Sequence, residues 1–430
     1  MDQTVKSLLD FLNSSPTAYH GTAETVKKLE EAGFTSLDES TNWELKPQRG
    51  YYIVRNSSSL IAFHTGDLDL TGGCFRIVTA HTDSPTFRLK EGVLNDKSGM
   101  LTMGVEVMGG PIFSTWLDRD LAIAGRVLFK KEGSVGSLLY RNPERKVLIP
   151  NPPIHLNKTA NKGFVYNAQN HLNCIIQSSR RENGAHKVES FYDLIAQDLN
   201  LNVKDILDTD LVLYDTQEAS LTSWKQEFFS SGRIDNLAMC HASVEALIST
   251  KGQKGIAVAA LFDNEETGSK TPHGADSSFL EQVLERIVLA AGGNREQFMV
   301  LCSSSFIISA DAAHGVHPNF SDLYDEDFTP QINGGPAIKK NAGWNYASTG
   351  ETSSIFKMIC EKADVPYQMY INRSDRPTGK TLGPLTAARL GIPAVDVGNP
   401  LWSMHSIRET AGVNDHCYMI RAFETHYSET

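Results

Sequence analysis

Imidazole and carboxylate side chains recur in this 430-residue chain directly after apolar runs. His81-Thr-Asp-Ser-Pro85 follows the run 75–80, Asp263-Asn-Glu-Glu-Thr-Gly268 follows 255–262, and Ala310-Asp-Ala-Ala-His-Gly-Val-His-Pro318 follows 306–309. The run 392–397 leads to Met404-His-Ser406, and Gly232-Arg-Ile-Asp235 precedes a helical pattern starting at Asn236. Such residues suit metal-assisted hydrolysis. Imidazole plus carboxylate oxygen fits zinc, manganese or cobalt, and the absence of cysteine from the set argues against a purely structural zinc site. An Asp in front of a rigid helix is a natural bridge between two ions. His81 and Asp83, two apart on extended backbone, point to one side, so Asp83 can accept from the second imidazole nitrogen and fix its tautomer. Adjacent Glu265 and Glu266 diverge, so one can bind metal while the other faces a water as general base.

Each residue also has an ordinary alternative. Asp235 is well placed as a helix N-cap, His81 as a hydrogen-bonded core histidine, and Glu265-Glu266 as a solvated turn. Asp311 and His405 say little separately. Their joint placement is what needs an explanation. Ligand sites in α/β sheets lie outside the carboxyl ends of the strands. Four strand ends that deliver imidazole or carboxylate to one edge would bury mutually repelling charge unless a cation neutralised it.

The elements that must position these residues read as an α/β fold. Apolar strands alternate with amphipathic helical patterns at 236–249 and 353–363, which indicates a mostly parallel sheet with helices on both faces. The first fifteen residues place Val5, Leu8, Leu9 and Leu12 at helical spacing among Asp2 and Asp10, a surface helix and not a signal peptide. A break at Ser15-Pro16 follows, then a polar, turn-rich stretch, then the strand 75–80. Residues 86–231 differ, with Gly-punctuated alternating segments such as 121–129, the Pro-rich Ile149-Pro-Asn-Pro-Pro-Ile154, and one helix around 191–199. The expected organisation is a discontinuous catalytic α/β domain, 1–85 and 232–430, interrupted by a β-rich insert, 86–231.

Charge and composition narrow the partners. Lys plus Arg number 40 against 51 Asp plus Glu, a formal net charge of −11. That disfavours nucleic acid and a polybasic membrane anchor, both of which need a basic face. No apolar run approaches the length that spans a bilayer. The six cysteines are scattered without a C-x-x-C, which reads as a reducing, cytoplasmic setting. H-E-x-x-H and G-x-S-x-G are absent. Thr378-Gly-Lys-Thr381 lacks the first glycine of a phosphate loop, since Ser374 stands there.

Taken in order, His81-Thr-Asp-Ser-Pro85, Gly232-Arg-Ile-Asp-Asn236, Asp263-Asn-Glu-Glu-Thr-Gly268, Ser309-Ala-Asp-Ala-Ala-His-Gly-Val-His-Pro-Asn319 and Met404-His-Ser-Ile-Arg-Glu409 resemble the aspartyl aminopeptidase family of dinuclear metallopeptidases. The resemblance extends from Asn13-Ser-Ser-Pro-Thr17 to the C-terminus and includes Ser114-Thr-Trp-Leu-Asp-Arg-Asp120. It implies that His81 and Asp311 bind one zinc, Glu266 and His405 another, and that Asp235 bridges them through a residue followed by a cis peptide. It makes Glu265 the general base and Asp83 the partner of His81. Cobalt or manganese could replace zinc.

The resemblance further implies that His155, from the insert of a neighbouring subunit, reaches the substrate. Lys339 would receive an acidic first side chain; a solvated lysine pair is its ordinary alternative, as a plain loop histidine is for His155. The insert would be a dimerisation domain, and dimers would build a closed homo-oligomer, often a tetrahedral dodecamer, that admits short peptides. The implied activity is removal of N-terminal Asp or Glu. An aminopeptidase for neutral residues, a deacylase on the same scaffold, or a non-catalytic assembly protein are the alternatives.

Overall fold

Consecutive residues of the strand Ile256–Phe262 face two different cores. Ala257, Ala259 and Leu261 belong to one, Ile256, Val258, Ala260 and Phe262 to the other. That is the signature of a strand covered on both faces, with side chains alternating at period two. The computed structural model describes residues 3–90, 94–179 and 190–428. They form two units. The first comprises the chain up to Ser84, Ala219–Met404 and the chain from Glu409; the second comprises Pro85–Glu218 and His405–Arg408.

In the first unit a nine-stranded sheet runs in the order Thr35–Ser36, Gly50–Arg55, Ser59–His64, Ile256–Phe262, Phe75–His81, Phe306–Ala310, Ala394–Gly398, Ala337–Lys340, Gln368–Ile371. The four strands from Ile256–Phe262 to Ala394–Gly398 are parallel to one another, and the flanking Ser59–His64 and Ala337–Lys340 pair with them antiparallel. One face carries the helices Gln3–Ser14, Ile234–Ser249, Gly350–Lys362 and Val413–Ser428, through residues such as Leu8, Leu237, Phe356 and Phe423. The other carries Phe279–Ala290 and Arg295–Ser303, through Leu284, Ile287 and Phe298. Thr349 opens Gly350–Lys362 with a capping box, which starts that helix ahead of the expected Ser353. The mostly parallel α/β reading therefore describes this unit.

The turn-rich stretch before residue 75 differs from expectation. It contains the antiparallel pair Gly50–Arg55 and Ser59–His64, joined through Asn56, Ser57 and Ser58, the first two at φ 55° and 57°. Two left-handed residues make the tight turn whose twist suits a hairpin. Ala337–Lys340 and Gln368–Ile371 also went unread, because two lysines interrupt the apolar signal of the former.

The second unit is β-rich. An antiparallel sheet orders Ser134–Arg141, Leu121–Lys131, Ile206–Asp215, Thr86–Leu89 and Val105–Met108, and a smaller one pairs Cys174–Ser178, Met100–Met103 and Asn95–Lys97. Helix Phe191–Leu199 matches its sequence signal and starts at a Ser190 capping box. The limits of this unit differ from 86–231. Ser220–Thr222 and Phe228–Ser231 join a sheet with Glu409–Gly412, so their backbone pairing places them in the first unit. Conversely, Ile407 is buried in the core of the second unit, and its amide donates to Thr115 Oγ1 at 3.1 Å.

Among the described residues no helix is long and apolar enough to cross a membrane. All six cysteines are free thiols. Leu261→Ala would open a void between the sheet and its helices, at about 2–5 kcal/mol. A lowered urea midpoint is expected; an unchanged one would mean the strand is loosely packed.

Candidate active site

Parallel neighbours end at the same edge, and the polar groups sit there. His81 is the last residue of Phe75–His81, Asp311 directly follows Phe306–Ala310, and Glu265 opens a short turn, Glu265–Thr267, beyond Phe262. Asp311 is drawn in by its own amide, which donates to the Val397 carbonyl at 2.9 Å. Gly398 permits the approach, since a Cβ there would collide with the Asp311 carbonyl. Asp235 enters from the start of Ile234–Ser249, where its backbone is non-helical and the Asp235–Asn236 peptide is cis.

Main-chain bonds fix these side chains. The Asp235 amide donates to Glu409 Oε2 at 3.0 Å, and its carbonyl accepts from Ser84 Oγ at 2.8 Å. Asn236 is fully buried and donates to the Ala310 carbonyl at 2.8 Å. The Cys240 thiol donates to the His81 carbonyl, and burial pushes its pKa up to about 12, so it remains a thiol. Asp83 holds the next loop. Its two carboxylate oxygens accept from the amides of Glu265 and Glu266 at 3.0 and 3.1 Å.

Imidazole orientation follows from the same segment. His81 Nδ1 lies 3.1 Å from the Asp83 carbonyl and 3.4 Å from its carboxylate. The tautomer is thus set chiefly by the main chain of Asp83, while its carboxylate serves the glutamate loop. Nε2 then faces Asp235 Oδ1 at 3.5 Å and Asp311 Oδ2 at 3.8 Å. Donor atoms of His81, Asp235 and Asp311 lie within 4.8 Å of one another, as do those of His81, Glu265 and Glu266; Asp235 and Glu266 are equally close.

Electrostatics shows what this arrangement demands. Burial alone would lower the His81 pKa, yet the carboxylates of Asp235 and Asp83, with Glu265, hold it well above its ordinary value. Glu265 is pushed up to about 8, first by burial and then by Asp311, Glu266 and Asp83, with His81 opposing. Buried carboxylates this close require compensating positive charge. Lys339 supplies some: it is 3% exposed and its Nζ donates to Asp311 Oδ1 at 2.7 Å. It is not a solvated lysine. The remaining donors are imidazole nitrogen and carboxylate oxygen, a set that fits zinc or another borderline divalent ion.

His405 and His155 belong to the second unit. His405 sits at φ 66°, and its Nδ1 lies 3.1 Å from the Gly110 carbonyl, which favours the tautomer with the lone pair on Nε2. His155 is exposed in a turn that follows Pro153, between Ile154 and Leu156, which are 50% and 83% exposed. The supporting roles of Ser84, Glu409 and Cys240 escaped the sequence reading, although Ser84 and Glu409 stand inside motifs quoted above.

Residues 11–427 match the family model described as aminopeptidase I zinc metalloprotease, M18. The chain belongs to the M18 family of zinc metallo-aminopeptidases. A probable M18 family aminopeptidase 2 of Clostridium novyi is 42% identical, with 98% of each chain covered, and one of Ectopseudomonas mendocina is 41% identical over 99% and 98%. Among solved structures, a chain of the Ape4 and Nbr1 complex superposes with a TM-score of 0.94 at 34% identity, covering 99% of this chain and 85% of that one. Yeast aminopeptidase 1 gives 0.84 at 25% identity, covering 98% and 96%.

For this M18 aminopeptidase the geometry makes Asp83 a positioning residue for two glutamates at once. Asp83→Ala is expected to lower kcat about 10–100-fold, the range for lost outer-shell partners of a metal site, with an unchanged circular dichroism spectrum. Near-normal kcat would show that the loop holds itself.

Proposed function

We propose that this M18 aminopeptidase releases N-terminal Asp or Glu from short peptides, with two divalent ions, most naturally zinc, in the site. The observation that carries this reading is the convergence of His81, Asp235, Glu265, Glu266 and Asp311 at one sheet edge, in overlapping groups whose donor atoms lie within 4.8 Å of one another. In this assignment His81 and Asp311 would hold one ion and Glu266 and His405 the other, with Asp235 serving both. The site accounts for its own excess negative charge in that way.

Bound ions supply Lewis acidity that lowers the pKa of a water and polarises the scissile carbonyl. Glu265 takes the proton from that water and passes it to the leaving amine. A free α-amine would be anchored beside these metal-holding residues, which would confine cleavage to the first residue.

Acidic selectivity draws on local positive charge. Lys339 spends one N–H on Asp311 and, as an ammonium, has two more for a substrate carboxylate. A neighbouring cavity of about 220 Å³ bordered by His314, Tyr324, Tyr370, Asn372 and Arg376 gives a side chain room. His155, exposed on the second unit, is assigned to the substrate of a neighbouring subunit in a homo-oligomer built from dimers. Support comes from its exposure and from the dodecamer named for the related S. cerevesiae mApe1. Six free thiols fit a reducing, cytoplasmic setting.

Glu265→Gln should retain metal and lose about 10²–10⁴-fold in kcat; near-normal turnover would remove Glu265 from the mechanism. A panel of Asp, Glu, Asn, Leu and acetyl-blocked substrates tests the rest. Higher kcat/KM on Asp and Glu is expected. A preference for Leu would identify a neutral aminopeptidase, and hydrolysis of the blocked substrate a deacylase. Light scattering should give a large closed oligomer, and an active monomer would end the role given to His155.

A further inference from the structure

Lys339 is the buried cation that the hydrolytic mechanism does not need in that position. It lies on Ala337–Lys340, a strand whose apolar neighbours Ala337 and Ile338 are fully buried. Its Nζ gives a 2.7 Å bond to Asp311 Oδ1, while the other oxygen, Oδ2, faces His81 Nε2 at 3.8 Å. The ammonium also lies 5.5 Å from the centre of the Tyr346 ring. The lysine is therefore held at its tip by Asp311 and cannot swing into solvent without leaving that buried carboxylate unpaired.

We propose that Lys339 shares the Asp311 carboxylate with the cation held by His81 and Asp311, and by doing so weakens that position and makes its ion the more exchangeable of the pair. This rests on the reading above that Asp311 is a ligand. Asp311 offers one negative charge, and Lys339 takes part of it through Oδ1. An ion held by Asp311 would thus meet a less negative ligand, because part of that carboxylate's charge is already engaged by the ammonium. The gain is chemical. A less neutralised ion remains the stronger Lewis acid.

Zinc affinity, measured without substrate by competition with a chromophoric chelator, tests this. Lys339→Met keeps length and apolar stem and removes the charge, so the weaker class of ion should tighten by about ten-fold or more. Lys339→Arg keeps the charge and should stay within about three-fold of wild type. In an Asp311→Asn background the effect of Lys339→Met should vanish, as a double-mutant cycle requires if the lysine acts through that carboxylate. Unchanged or weakened zinc binding in Lys339→Met, or the same tightening with Asp311→Asn present, overturns the inference. If Asp311→Asn alone leaves both classes of ion unaltered, the ligand assignment itself has failed. Lys339 acting only on substrate would leave all these affinities unmoved.

Discussion

Repulsion among buried carboxylates is the constraint on which the site depends. Asp83, Asp235 and Asp311 are buried where the parallel strands end, with the half-buried Glu265 and Glu266 beside them, so water screens them poorly. Lys339 and His81 offset only part of that charge. Such a cluster is stable when divalent cations complete it, which makes it a place for Lewis acid chemistry. The sheet has one task in this respect: it brings separate stretches of chain to a common edge and holds them against their own repulsion.

The scaffold does this by burial on both faces. Ile256–Phe262 sends alternate residues into two cores, so the glutamate loop at its end is braced from both sides. Asp235 is held differently, through its main chain by Glu409 and Ser84, which leaves its carboxylate oriented without spending it on a cap. In both cases the groups that do the holding are distinct from the groups offered to a ligand.

Much of this was legible in the sequence, for a physical reason. Near-continuous apolar runs are unmistakable, and polar residues directly behind them stand out against that background, as His81, Asp311 and Glu265 do. Alternation that is half polar was harder to read. The hairpin Gly50–Arg55 and Ser59–His64 was lost among turn residues, although the turn through Asn56 and Ser57 is its true signal. Ala337–Lys340 was lost because lysine ordinarily marks a surface, and nothing local indicates that Lys339 pairs with Asp311, 28 residues away. Likewise the spacing of His81 and Asp83 announced a partnership but not its form, since the carboxylate went to two amides and the carbonyl to the imidazole. Long-range partners are chosen by topology, which spacing along the chain does not encode.

The hydrogen bond that the Asp235 amide gives to Glu409, and the one its carbonyl accepts from Ser84, carry one more consequence. The backbone that carries its carboxylate is fixed by the polypeptide itself. A frame anchored before its guest arrives has less conformational freedom left to lose, so less of any binding free energy goes into ordering it.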